Sequence, residues 1–196
     1  ICISTADGRK VFVSLKSGRG RFTSSDCYET NAIYQSVLRE KHNNNPEIKD
    51  IVKAILILME QLGKKEPIRN DRTVTSIRKE MENDETLLDE DIEWVQRLNE
   101  TVHKCNGLWN TLKNKHPEYV KEILFECVSG EYKFANNVGR AEWLIVNKPG
   151  TTFVEKIFKL DKRTHELDEY LLNEIPKSAF GAKTAGTGKM MWIRFL

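Results

Sequence analysis

The hydrophobic pattern of the chain changes period twice, and this order constrains the fold more than any single residue does. Apolar residues first alternate over Ile1–Ser4 and Lys10–Lys16, two strand patterns joined by Asp7-Gly8, a dipeptide of tight hairpin turns. The period then lengthens to that of helices. One helix is expected from about Asp26 to Lys41, with Ala32, Ile33, Val37 and Leu38 inward and Asn43, Asn44 and Asn45 ending it. Pro46 opens a second at its first position, with Ile48, Val52, Ile55 and Met59 at helical spacing and Gly63 closing it. Lys64 to Asp91 reads as a charged surface segment with one short helix around Val74–Met81. A long helix follows from Glu90 to about Lys104, its pattern extending past Gly107 through Trp109 and Leu112. Pro117 starts another, which ends at Ser129-Gly130.

Strand texture returns over Glu142–Asn147 and Thr152–Leu160, then a helix over Asp161–Leu172 and a last strand over Met190–Phe195. The expected class is α/β or α+β: a mixed β-sheet with flanking helices and a helical insertion at about 45–116, all within a single domain of 196 residues. The pattern at Ile1 already belongs to a strand and no methionine precedes it, so residues are expected ahead of it.

Composition narrows the partners. With 39% hydrophobic and 31% charged residues the chain is neither a disordered tail nor a membrane protein, and its most apolar stretch, Ile51–Met59, is interrupted by Lys53. A net charge of +2 is too small to advertise nucleic-acid binding by itself, so any such site must be a local patch. The four cysteines are scattered without a CxxC pair, which reads as reduced thiols in a cytoplasmic protein, with structural zinc or disulfides as the alternatives. Trp94, Trp109, Trp143 and Trp192 fall on apolar stripes or strands and are expected in the core, and none of the four histidines suggests catalysis.

The stretch Val11–Thr30 raises the sharpest question. Side chains alternate along a strand, so Phe12, Ser14 and Lys16 share one face and Val11, Val13 and Leu15 the other. Lys16 then meets a basic glycine loop, Ser17-Gly18-Arg19-Gly20-Arg21-Phe22-Thr23, and Glu29 stands in the first turn of the following helix. Two readings fit. Lysine beside a glycine loop stops a strand, and Asp26 with Glu29 makes a capping box. Alternatively Lys16 and Glu29, twelve residues between them, belong to one site.

The serine–leucine–lysine on a strand, followed by a loop and a helix-borne glutamate, resembles the PD-(D/E)xK nuclease superfamily, in the branch whose second acidic residue has migrated from the strand to the following helix. The resemblance covers roughly the first forty residues. It implies a restriction-endonuclease-like fold and metal-dependent hydrolysis of DNA phosphodiesters. Ser14 would be the small residue two before the lysine, Lys16 would orient and polarise the attacking water, and Glu29 would help hold Mg²⁺, with Mn²⁺ able to substitute. Such hydrolysis needs a hard, oxygen-bound cation and positive charge beside the phosphate. The resemblance further implies an aspartate on the preceding strand; with the turn at Asp7-Gly8, the residue opposite Lys16 lies just ahead of Ile1. It also implies DNA as partner, no membrane, and a homodimer as the way two sites cut two strands.

Gly18 and Gly20 let backbone approach a phosphate while Arg19 and Arg21 neutralise it. Lys183 and Lys189, in the loop Gly181–Lys189, are further candidates for backbone contacts; that loop fails the phosphate-loop pattern, with Met190 where Ser or Thr belongs. A rival site is the literal Glu131-Tyr132-Lys133, with Glu126 one turn before the end of the preceding helix, read as an active strand. The rival function is a non-enzymatic nucleic-acid-binding or structural protein of a phage or mobile element on a similar fold, which would place it in a virion rather than the cytoplasm.

Overall fold

The computed structural model describes residues 1–17, 21–61, 83, 89–132, 134, 139–148, 151–182 and 190–195; for 17, 21–32, 89–91, 94, 181–182 and 190–195 it describes the backbone path. Strands β1 (Cys2–Ser4) and β2 (Lys10–Ser17) form the expected antiparallel hairpin, with Ile3 opposite Val11. Its turn closes through Gly8 N–H to the Thr5 carbonyl at 2.9 Å and Thr5 N–H to the Arg9 carbonyl at 2.8 Å. Gly8 has φ of +80°, a left-handed conformation that disfavours a side chain.

Strand β3 (Arg21–Asp26) leads directly into α1 (Cys27–Lys41). This corrects the expected Ser17–Thr23 loop: Ser17 ends β2, and Arg21 lies on a strand. Helix α2 (Pro46–Gln61) begins as its proline predicts, with the Asn45 side chain accepting from Ile48 N–H at 3.1 Å. Helix α3 (Asp89–Lys115) runs unbroken through Gly107, and α4 (Pro117–Ser129) follows His116 directly. The rest of the chain supplies β4 (Trp143–Asn147), β5 (Val154–Lys159), α5 (His165–Glu174), β6 (Ser178–Ala182) and β7 (Met190–Phe195). Thr164 caps α5 by accepting from Leu167 N–H at 3.3 Å. Gly63 and the Val74–Met81 helix lie outside the described residues.

Two sheets result, a mixed four-stranded one ordered β1-β2-β4-β5 and an antiparallel one ordered β3-β7-β6. The pivotal pairing is β2 with β4, which run parallel with Ser14 beside Leu144 and Lys16 beside Val146. Parallel strands need a long crossover, and here α1 to α4 fill it. The fold is therefore mixed α and β, with five helices among the described residues. One hydrophobic core joins these layers: Val37, Ile55 and Ile123 from the helices pack in it with Leu144 and Phe158 of the sheet.

Trp109 of α3 is fully buried, 6.1 Å from the Tyr34 ring and edge-on to Phe180 at 5.6 Å. Its indole N–H donates to the Ser178 hydroxyl at 3.0 Å. Asn106, one turn earlier, bonds the Phe180 backbone twice: its amide donates to the carbonyl at 3.1 Å and its oxygen accepts from the N–H at 2.7 Å. An asparagine on a helix thus serves as the strand partner that β6 lacks on that edge. On the far side of α4, Arg163 grips the largely buried Glu122 through two bonds of 2.8 and 2.7 Å, reaches Asp168 at 3.2 Å, and lies 4.4 Å over the Phe125 ring. Among the described residues no helix is long and apolar enough to cross a membrane.

Candidate active site beside the parallel strand pair

Leu144 and Val146 are buried, so the parallel register carries Ser14 and Lys16 on the helix-facing side of the sheet, while Leu15 is exposed on the other. Against that side stands the C-terminal end of α4. Between them lies a cavity of about 500 Å³, with Ser14, Lys16, Ile33, Glu126, Cys127 and Phe134 among its walls. Strand β2, helix α1 and the last turn of α4 all contribute to its walls.

Lys16 is half-buried here. Loss of water pushes its ammonium below the usual lysine range, and the nearby Cys127 sulfur pulls weakly the other way. A cation in such a setting attracts an entering anion more strongly than a solvated one does. Glu126 is almost fully buried on α4, and its carboxylate accepts from Tyr132 N–H at 2.9 Å. Ser129, also buried, accepts from Glu131 N–H at 3.2 Å. These two bonds order the turn that follows α4. Gly130 ends the helix in the left-handed conformation, φ 63°, its N–H bonded to the Glu126 carbonyl at 2.8 Å.

Of the residues singled out from sequence, Ser14 and Lys16 line one cavity as strand alternation requires. Glu29 lies in the first turn of α1, four positions ahead of Ile33, which is part of the same wall. Arg21 stands on β3 with its backbone opposite Arg194 of β7, not in a loop beside Lys16. Gly18, Arg19, Gly20, Lys183 and Lys189 lie outside the described residues. Glu131 and Tyr132 form a turn rather than an active strand, and Glu131 pairs with Arg140 at 3.2 Å. That removes the basis of the rival site, yet its flanking Glu126 enters the cavity from the helix side.

Ile1 N–H donates to the Val13 carbonyl at 2.8 Å, and Val13 N–H returns the bond to the Ile1 carbonyl at 2.8 Å. Ile1 is thus opposite Val13, which continues the β1–β2 register to the first residue.

A larger concavity of about 780 Å³ follows the turn between α1 and α2. A single contiguous segment, Arg39 to Glu47, forms it, and Glu47 is occupied by Lys115 at 2.6 Å and His116 at 3.1 Å. It gathers no groups distant in sequence and has less claim to chemistry. Comparison of the chain with protein-family models, curated proteins and solved structures finds no match.

Proposed function

We propose that the chain carries out metal-dependent hydrolysis of DNA phosphodiester bonds on a restriction-endonuclease-like fold, with the Lys16 cavity as its site. The observation that carries this reading is the position of Lys16. It lies at the end of a strand paired in parallel with β4, faces the helices, and shares a cavity with residues from α1 and α4. The arrangement of a hairpin, a helical crossover and a parallel strand supports the same reading.

The donor set suits a hard cation in kind, since Glu126 and Ser14 bring oxygen atoms to the wall and Glu29 stands one turn from Ile33. Glu29, Glu126 and an aspartate opposite Lys16 would hold Mg²⁺. When bound, Mg²⁺ neutralises phosphate charge and makes water a better nucleophile. Lys16 supplies the remaining part: its desolvated ammonium donates to a phosphate oxygen or to the attacking water and stabilises the charge that grows in the transition state.

Plasmid DNA with Mg²⁺ or Mn²⁺, wild type beside Lys16→Ala, tests this directly. Cleavage that needs metal and falls at least about a hundredfold in the variant is expected, the order of loss for one transition-state charge contact. Open-circular product reports single sites acting alone, and linear product in one encounter reports paired copies. A folded wild type that binds DNA and never cuts it turns the reading to a nucleic-acid-binding protein.

A further inference from the structure

The four-stranded sheet has two unlike faces. On one, Leu144, Val146 and Phe158 are buried in the core. The strand register places Leu15, Ile145 and Ile157 in one row on the other, because Leu15 stands beside Ile145 and Ile145 opposite Ile157. Leu15 is 44% exposed and Ile157 58%. Two rows along, Val11 stands opposite Ile3, itself 48% exposed, and the row between holds Val13 beside the partly covered Trp143. A sheet face turned to water is ordinarily polar, and strands paired in parallel, as β2 and β4 are, ordinarily have both faces covered. From β1 to β5 this face is apolar, and its outer residues are open.

We propose that this face docks on the same face of a second copy of the chain, so that two sheets pack back to back. The size fits. Ile3, Leu15 and Ile157, with the partly covered Val11, Trp143 and Ile145 around them, leave on the order of 500 Å² of apolar surface open, near the top of the range for a patch on a monomer. About two-thirds of a homodimer interface is apolar, so with its polar margin the face would bury about 800 Å² per copy, the amount in a stable interface. The charges fit as well. Lys159, opposite Trp143, pairs with Asp161 at 2.9 Å, and Arg9 at the hairpin turn pairs with Glu142. A strongly charged partner would have to break these pairs to gain from them, whereas a two-fold axis brings two copies of the face together without repulsion. Lys16 lies on the other side of the sheet, so the two cavities open away from one another and the pairing stands apart from the hydrolysis reading.

Sedimentation of the full chain, from nanomolar to high micromolar concentration, tests this. The mass of wild type is expected to move from 22.7 kDa to twice that value and to stop there. Leu15→Lys and Ile157→Lys, at exposed positions on two different strands, should each raise the dissociation constant at least about thirtyfold, the effect of losing one central contact. Leu172→Lys, at an exposed position of α5, should leave it unchanged. Circular dichroism at the lowest concentration checks that each variant is folded. The thermal midpoint gives a second reading: it should rise with concentration for wild type and stay level for Ile157→Lys. Wild type that remains at 22.7 kDa throughout, or a dimer that neither sheet lysine weakens, overturns the proposal. So does a loss shared equally by Leu172→Lys, or a mass that climbs past two copies without a plateau.

Discussion

Helix α4 has a basic side chain near each of two clusters, and comparing them separates scaffold from site. Loss of water is the largest single influence on both Arg163 and Lys16. At Arg163 the carboxylates of Glu122 and Asp168 together overcome it, and the guanidinium is held above its usual range. At Lys16 burial prevails, and the ammonium falls below its usual range. The first arrangement ties α4 to the loop before α5. The second shifts the proton affinity of Lys16 downward by burial, the kind of perturbed group that the proposed site calls for.

The largest expected effect comes from breaking the paired cluster. Arg163→Met leaves the Glu122 carboxylate largely buried without its two bonds, and should cost about 3 kcal/mol in denaturant unfolding. Adding Glu122→Leu to that variant should recover most of the loss, because removing both members spares the cost of an unmatched charge. Equal stability of wild type and the single variant would collapse the contrast, since the network would then be surface decoration.

A neutral control sharpens it. Asn106 bonds the Phe180 backbone twice without any charge, so Asn106→Ala should cost about 2 kcal/mol by leaving a buried donor and acceptor unsatisfied. Amide exchange at Phe180 should speed up in the same variant while exchange in β4 stays slow. A cost equal to that of Arg163→Met would mean that hydrogen bonding, and not charge, is what the Arg163 cluster contributes.

The same residues mark what was legible in the sequence. Asp7-Gly8, Asn45-Pro46, Pro117 and Ser129-Gly130 act through their own backbone preferences, so the hairpin and three helix ends could be read locally. Strand alternation likewise placed Ser14 and Lys16 on one face. Strands β3 and β6 could not be read this way. Arg21–Asp26 is mostly polar with Phe22 as its one large apolar residue, and Ser178–Ala182 includes a glycine; their pairing with β7 and the bonds from Asn106 are distant in sequence. The cavity was half legible for a related reason. Glu126, Cys127 and Phe134 come to line the same cavity as Lys16 through the parallel return of β4 beside β2, and no local pattern encodes that pairing.

The smallest expected effect is the most discriminating, because its sign opposes the others. Lys16 has a lower proton affinity in the folded chain than in the unfolded one, so the unfolded state binds more protons across the interval between the two values. Stability contributed by this group therefore rises with pH through that interval. Below it the charged Lys16 is a net cost, and above the ordinary lysine value near about 10.4 both states are neutral and the cost is gone. Lys16→Met should accordingly raise the thermal midpoint modestly at neutral pH, and its advantage over wild type should shrink as pH climbs toward that value. A variant less stable than wild type by an amount flat with pH would show that the folded chain holds the Lys16 charge as firmly as it holds Arg163. The expected crossing of signs, with a gain in stability and a loss of cleavage from one substitution, would instead mark a residue kept for what enters the cavity rather than for the fold around it.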